Sequence, residues 1–160
     1  MMYDDLVGFM NWWFSNGRPF NVPLDNPVCN HYEDAKSNNS KNVTCINLYR
    51  HGVYQVQLIV IPSNTTVRQH IHPNMDSFEV YNSGDVIFET NGIVYGSSNN
   101  DAIAPIRVLP SYWHGGIIGK SGASFFSVQK YINGTLPTCA GCDWLGDDGS
   151  RVGDVTSNKE

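Results

Sequence analysis

Positive charge is scarce in this chain and nowhere concentrated. Five arginines and five lysines are spread over 160 residues, and with fifteen acids the formal charge is −5. With no basic patch or stripe there is no electrostatic footprint for a phosphate backbone, so no nucleic-acid partner is expected. Long apolar runs are missing too. No stretch reaches the roughly 20 residues that cross a bilayer, so no membrane-spanning helix is expected. A basic amino-terminal region is also lacking: Asp4 and Asp5 stand where a signal peptide carries its positive charge, and "FMNWWF" is aromatic rather than smoothly aliphatic. The expectation is a protein not secreted by a signal peptide and cytoplasmic at synthesis. The sequons at Asn38, Asn42, Asn64 and Asn133 then read as Asn-rich sequence rather than glycosylation sites.

Helical periodicity is confined to one short stretch. Over residues 3–15, Leu6, Phe9, Met10 and Trp13 recur at helical spacing, and Asp4 and Asp5 suit the positive end of the helix. Asn16-Gly17 followed by Pro19 stops it. So many large apolar residues on one short helix need a cover. The simpler expectation is that the helix packs on the outside of a sheet, the alternative being an exposed docking helix. Residues 19–45 hold three prolines and the polar run "EDAKSNNSKN", which reads as an extended, loop-rich connection.

From Val53 to Ile132 the pattern becomes β. "VYQVQLIVI" alternates with period two and then turns wholly apolar. "VRQHIH", "SFEVY", "DVIFE", "IVYG", "IRVL" and "SFFSVQKY" follow at short intervals, broken by turn residues. Short strands without interleaved helices indicate a sandwich or barrel, not a parallel α/β sheet. The expected organisation is one domain in three zones: a helix and loop-rich arm over 1–45, a β-sandwich or barrel over 46–135, and an extended, acidic, Cys-containing tail over 136–160.

Within "RQHIHPNMDSFEVYNSGD", His70 and His72 are one residue apart, so in a strand both imidazoles project from one face. Two rings so placed can close on one cation. Asp76 and Glu79 follow, then Gly84, and further on "RVLPSYWHGG" delivers His114 after a proline-led turn. This pair of motifs, HxH then an acid then Gly, and later a Pro turn then His, resembles the cupin family over roughly residues 53–132. Leu109 and Ser111 depart from the second motif, while Pro110 keeps its turn. The resemblance implies an all-β, double-sheet jelly-roll β-barrel whose lumen carries a divalent transition metal: Fe, Mn, Ni, Zn or Cu. It implies His70, His72 and His114 as ligands with one carboxylate. Two residues compete for that place. A two-residue length change keeps a strand residue on its face and a one-residue change flips it, which favours Glu79 over Asp76.

Other residues are less decisive. His31 and His51 read as ordinary polar residues, and Trp113 as a packing residue. Arg68, Gln69, Gln57, Tyr81, Tyr112, Gln129 and Tyr131 fit either a lumen lining or a sheet exterior. Only one CxxC is present, Cys139 and Cys142, with Cys29 and Cys45 sixteen apart. The readings are a structural zinc on all four cysteines joining the two arms, a redox pair, two disulfides, or unlinked thiols, the last favoured in a reducing compartment.

Two functions fit. One is a metal-dependent cupin acting on a small organic molecule, for which no separate nucleophile or acid–base pair can be named. The other is a non-catalytic assembly module, docking protein partners or copies of itself through the aromatic helix and the tail. The layout of "WWFSNGRPFNVPL", "SVQKYING" and "DWLGDDG" resembles small cupins of tailed phages, which implies a virion or phage accessory protein.

Overall fold

A computed structural model describes residues 2–22, 28–32, 43–97, 103–134, 137 and 145–146. The chain opens with helix α1, Leu6–Ser15. Asp5 caps it, its side chain accepting from the Gly8 backbone N–H at 2.7 Å. Among the described residues nine antiparallel strands follow: β1 Val28–Tyr32, β2 Val43–His51, β3 Tyr54–Ile61, β4 Thr66–Ile71, β5 Met75–Thr90, β6 Ile93–Ser97, β7 Ile106–Val108, β8 His114–Tyr131 and β9 Leu145–Gly146.

Two long strands, β5 and β8, run through both layers of the barrel. The first half of β5 pairs with the second half of β8 (Met75↔Tyr131 to Gly84↔Ala123). Its second half pairs with the start of β8 (Val86↔Ile118 to Thr90↔His114). The front sheet is thus ordered β1-β2-β3-β8-β5-β7, and the back sheet β9-β4-β8-β5-β6. The bend between them falls where the register shifts, between Tyr81 and Val86. Gly84 has φ +94°, and a Cβ there would lie 2.0 Å from the Gly122 carbonyl oxygen, so only glycine lets the two strands turn this corner together.

Strand β3 shows how the sequence pattern becomes two buried faces. Gln55, Gln57, Ile59 and Ile61 are buried on one side, whereas Tyr54, Val56 and Leu58 lie on the other, under α1. A strand covered on both sides reads as nearly continuous apolar sequence. The lumen core comprises Val43, Cys45, Ile59, Ile61, Met75, Ile118, Ala123 and Tyr131. The outer core joins Leu6, Phe9, Met10 and Trp13 of α1 to Leu48, Tyr54, Val56, Phe126 and Val128 of the front sheet. The helix therefore packs on the outside of its own sheet, as the simpler reading expected. Tyr3 extends this contact, its hydroxyl hydrogen-bonding with His51 Nδ1. After the helix, Asn21 is tied to β2 through the backbone N–H and C=O of Arg50, both at 2.7 Å.

The boundaries differ from expectation at two places. Strand β1 lies inside the stretch read as a loop-rich connection, and β2 starts at Val43, because "VTCINLYRH" carries its own period-two alternation. The tail expectation falls mostly outside the described residues. Its one described element, β9, pairs with β4 at His70↔Gly146 and Ile71↔Leu145. Cys139 and Cys142 also lie outside the described residues. Cys29 and Cys45 are directly opposed in the β1–β2 register, and Cys45 is buried. Among the described residues, no helix is long and apolar enough to cross a membrane.

Candidate metal centre in the barrel lumen

Strand alternation puts His70 and His72 on the lumen face, and both are buried. His114 arrives from the other motif. Its turn closes with the Tyr112 N–H donating to the Leu109 carbonyl at 2.9 Å, with Pro110 and Ser111 between them. The register then sets His114 directly opposite His70 on one side and Thr90 on the other. Gly115 is what allows this close approach: a Cβ there would lie 2.6 Å from the Val67 carbonyl oxygen. The three rings cluster with centroids 4.2 Å apart for His70–His114 and 4.8 Å for the other two pairs.

Hydrogen bonding fixes how two of these rings are presented. His70 Nδ1 lies 2.7 Å from the Arg68 carbonyl, and His114 Nδ1 lies 3.1 Å from the Tyr112 carbonyl. A carbonyl only accepts, so Nδ1 carries the proton in each and the lone pair is left on Nε2. Burial drives the His114 pKa down to about 4, outweighing its hydrogen bond with the Tyr112 carbonyl, so this ring is neutral at physiological pH. One donor atom from each of the three residues lies within 4.8 Å of the others. Nitrogens about 2.1 Å from a shared ion stand roughly 3–4 Å apart, so small ring rotations complete such a site. The neutral His114 ring, the hydrogen-bonded His70 ring beside it and the adjacent His72 imidazole fit a transition metal.

The two carboxylates separate by face. Asp76 lies outside the lumen, where it makes a two-pronged pair with Arg107, Nε to Oδ1 at 2.8 Å and Nη2 to Oδ2 at 2.6 Å. Glu79 faces the lumen and lines the same cavity as the three histidines. Among the described residues, however, the cluster of close donor atoms comprises His70, His72 and His114, without Glu79. Ser77 and Ser127 hold Glu79 Oε1, donating at 2.9 and 3.1 Å. Oε2 is out of contact with solvent and has no hydrogen-bond partner, although the residue as a whole keeps some exposure. Burial raises the Glu79 pKa to about 7 against the two serine hydrogen bonds, which lower it.

Behind Glu79 runs a ladder of buried amides that sequence reasoning did not assemble. Gln55 Nε2 donates to Gln129 Oε1 at 2.8 Å, Gln129 Nε2 to Gln57 Oε1 at 2.9 Å, and Gln57 Nε2 to Asn47 Oδ1 at 2.8 Å. Gln129 Nε2 also donates to Ser127 Oγ at 3.0 Å. At the outer end, Arg50 Nε donates to Gln55 Oε1. The available signal was the alternation of uncharged amides with apolar residues over Tyr54 to Gln57, where β3 is buried on both faces.

Gln57, Gln129 and Tyr131 are thus interior. Tyr81 donates its hydroxyl to the Gly84 carbonyl at 2.6 Å, bracing the corner. Trp113 is 40% exposed rather than packed, because it ends the turn that aims the next residue inward.

The cavity is about 80 Å³, walled by Val67, Val86, Phe88, Ile118 and Phe125, with the histidines, Glu79, Ser127 and Gln129 as its polar groups. That volume suits a few waters or a molecule of a few heavy atoms.

In the metal-free protein, Glu79 and His114 bias stability in opposite directions. Glu79 binds its proton more tightly when folded, so its contribution is full below pH 4.5 and is lost as pH rises through 7. His114 binds its proton less tightly when folded, so its contribution is full above pH 6.5 and is lost as pH falls through 4. Glu79→Gln removes the first effect and leaves the second. With chelator present, the variant is expected to exceed wild type at pH 8 by about 3 kcal/mol and to lose that advantage below pH 4.5. Urea denaturation across the range measures this, and parallel curves would mean that the Glu79 carboxylate is in water.

No protein-family model and no curated protein matches the chain. Solved structures do. A cupin-2 domain from Rhodospirillum rubrum superposes with TM-score 0.54 at 13% identity, covering 77% of this chain and 84% of that one. An RmlC-like cupin from Shewanella frigidimarina gives 0.52 at 13% identity, covering 72% and 92%. KdgF from Halomonas sp. gives 0.52 at 11% identity, covering 74% and 96%. At such identities the likeness is one of fold. With two antiparallel sheets closed around a histidine-bearing lumen, this chain is a cupin-fold protein.

Proposed function

We propose that this protein binds one divalent transition metal, Fe, Mn, Ni or Zn, on His70, His72 and His114, and acts on a small organic molecule in the barrel lumen. The observation carrying this reading is the convergence of three buried imidazoles, two with backbone carbonyls holding the proton on Nδ1. A bound ion would supply a Lewis acid or an oxygen-activating centre. The chain's own residues orient the ligands, keep water scarce through the apolar walls, and hold a carboxylate within the same cavity. Elemental analysis of purified protein is expected to give about one transition-metal ion per chain. Protein that stays metal-free after exposure to Fe, Mn, Ni and Zn in turn would overturn this function.

A second reading, a module that docks protein partners or another copy of itself, draws support from a different face. Ile87, Val94 and Ile117 are exposed, and Ile87 pairs with Ile117 on the outer side of the back sheet. The apolar face of α1 is spent on its own barrel, so this sheet face is the surface such a role would use. Light scattering with and without an Ile87→Lys, Ile117→Lys pair tests it. A wild type that stays monomeric, with the variant unchanged, removes self-association.

A further inference from the structure

The amide ladder gives the lumen a direction. Gln129 Nε2 donates to Ser127 Oγ, so the Ser127 proton is the one that goes to Glu79 Oε1. Ser77 gives its proton to the same oxygen. Oε1 is therefore saturated and anchored, while Oε2 is left buried, unpartnered and on the wall of the cavity that the three histidines share. A buried acceptor without a donor costs free energy, and a ligand that brings the donor recovers it. Resting on the metal-site reading above, we propose that Glu79 Oε2 is the second contact point of the site. It would accept a hydrogen bond from the hydroxyl of a small anionic ligand whose other end sits at the histidine cluster.

Charge and size narrow the ligand further. Three neutral imidazoles do not offset a divalent ion, and the surrounding walls are aliphatic and aromatic. One carboxylate from Glu79 and one negative charge on the ligand bring the lumen to neutrality. The cavity of about 80 Å³ limits the ligand to a few heavy atoms, which describes a short hydroxy acid.

The test uses Co(II)-loaded full-length protein and an isosteric pair, 3-hydroxypropionate and butyrate, with binding followed by the visible spectrum of the cobalt and by calorimetry. Wild type is expected to prefer the hydroxy acid by at least about tenfold. Glu79→Leu is expected to lose that preference while keeping its cobalt. Glu79→Gln retains the shape of the side chain and is the companion if the leucine variant does not fold; its preference should shrink with cobalt content unchanged. Equal affinities for the pair in wild type, or a preference that persists in the variants, would overturn the proposal. Loss of cobalt from both variants would make Glu79 a metal ligand and also overturn it. A wild type that takes up no cobalt would instead overturn the metal site on which the proposal rests.

Discussion

Alanine at His72 is expected to lower divalent-metal affinity by at least about a hundredfold while leaving the barrel folded. Substitutions of groups that merely orient metal ligands cost about 10–100-fold, and His72 would itself be a ligand, one of three. Its ring is buried against those of His70 and His114, just beyond the end of β4. Truncation therefore removes a donor without breaking a strand pairing. The lumen core of Ile59, Ile61, Met75 and Ile118 is untouched. Stability should then fall mainly by the lost binding linkage, by about 2.3 to 2.7 kcal/mol when free metal stands at a hundred times the wild-type dissociation constant. Chelator should move the wild-type melting curve in the same direction and leave His72→Ala where it is. Metal content after dialysis and paired melting curves measure both effects. An alanine variant that keeps stoichiometric metal would remove His72 from the site.

The parts of this arrangement that were legible in the sequence depend on period two. Alternation fixes that His70 and His72 share a face, and the same parity separates Asp76 from Glu79. What alternation cannot give is depth. It brought Glu79 to the lumen side, but two serine hydroxyls, one from β5 and one from β8, hold its carboxylate outside the close histidine cluster. Such a placement depends on the β5–β8 register, in which Glu79 opposes Ser127, and no local pattern encodes that pairing. The amide ladder was hidden for a related reason. Gln55 and Gln57 of β3 and Gln129 of β8 are three isolated polar residues in sequence, and only the antiparallel pairing Gln55↔Gln129 stacks them. Strand β1 was missed because prolines and an Asn-rich run flank it, and turn chemistry outweighed a five-residue signal.

Trp13 is where the outer core can be tested independently of the metal centre. The residue is fully buried, tilted against Phe126 at 5.5 Å, and its Nε1–H donates to the Pro19 carbonyl at 3.0 Å. Trp13→Ala leaves a large void between α1 and the front sheet and removes that donor, an expected cost of about 3–5 kcal/mol. For a chain of this size the melting temperature should drop by roughly 10 °C or more. Trp13→Phe retains most of the apolar contact and loses the hydrogen bond, so its cost should be about 1–2 kcal/mol. The helix lies on the outer face of the front sheet, whereas His70 and His114 project from strands of the back sheet and His72 lies just past the end of β4. Well below their melting temperatures, both variants should therefore hold metal as wild type does. Calorimetric melting and metal content separate the outcomes. An unchanged melting temperature in Trp13→Ala would mean that the helix is not seated on the barrel. Metal loss in a fully folded Trp13→Phe would show that the outer layer and the lumen are energetically coupled.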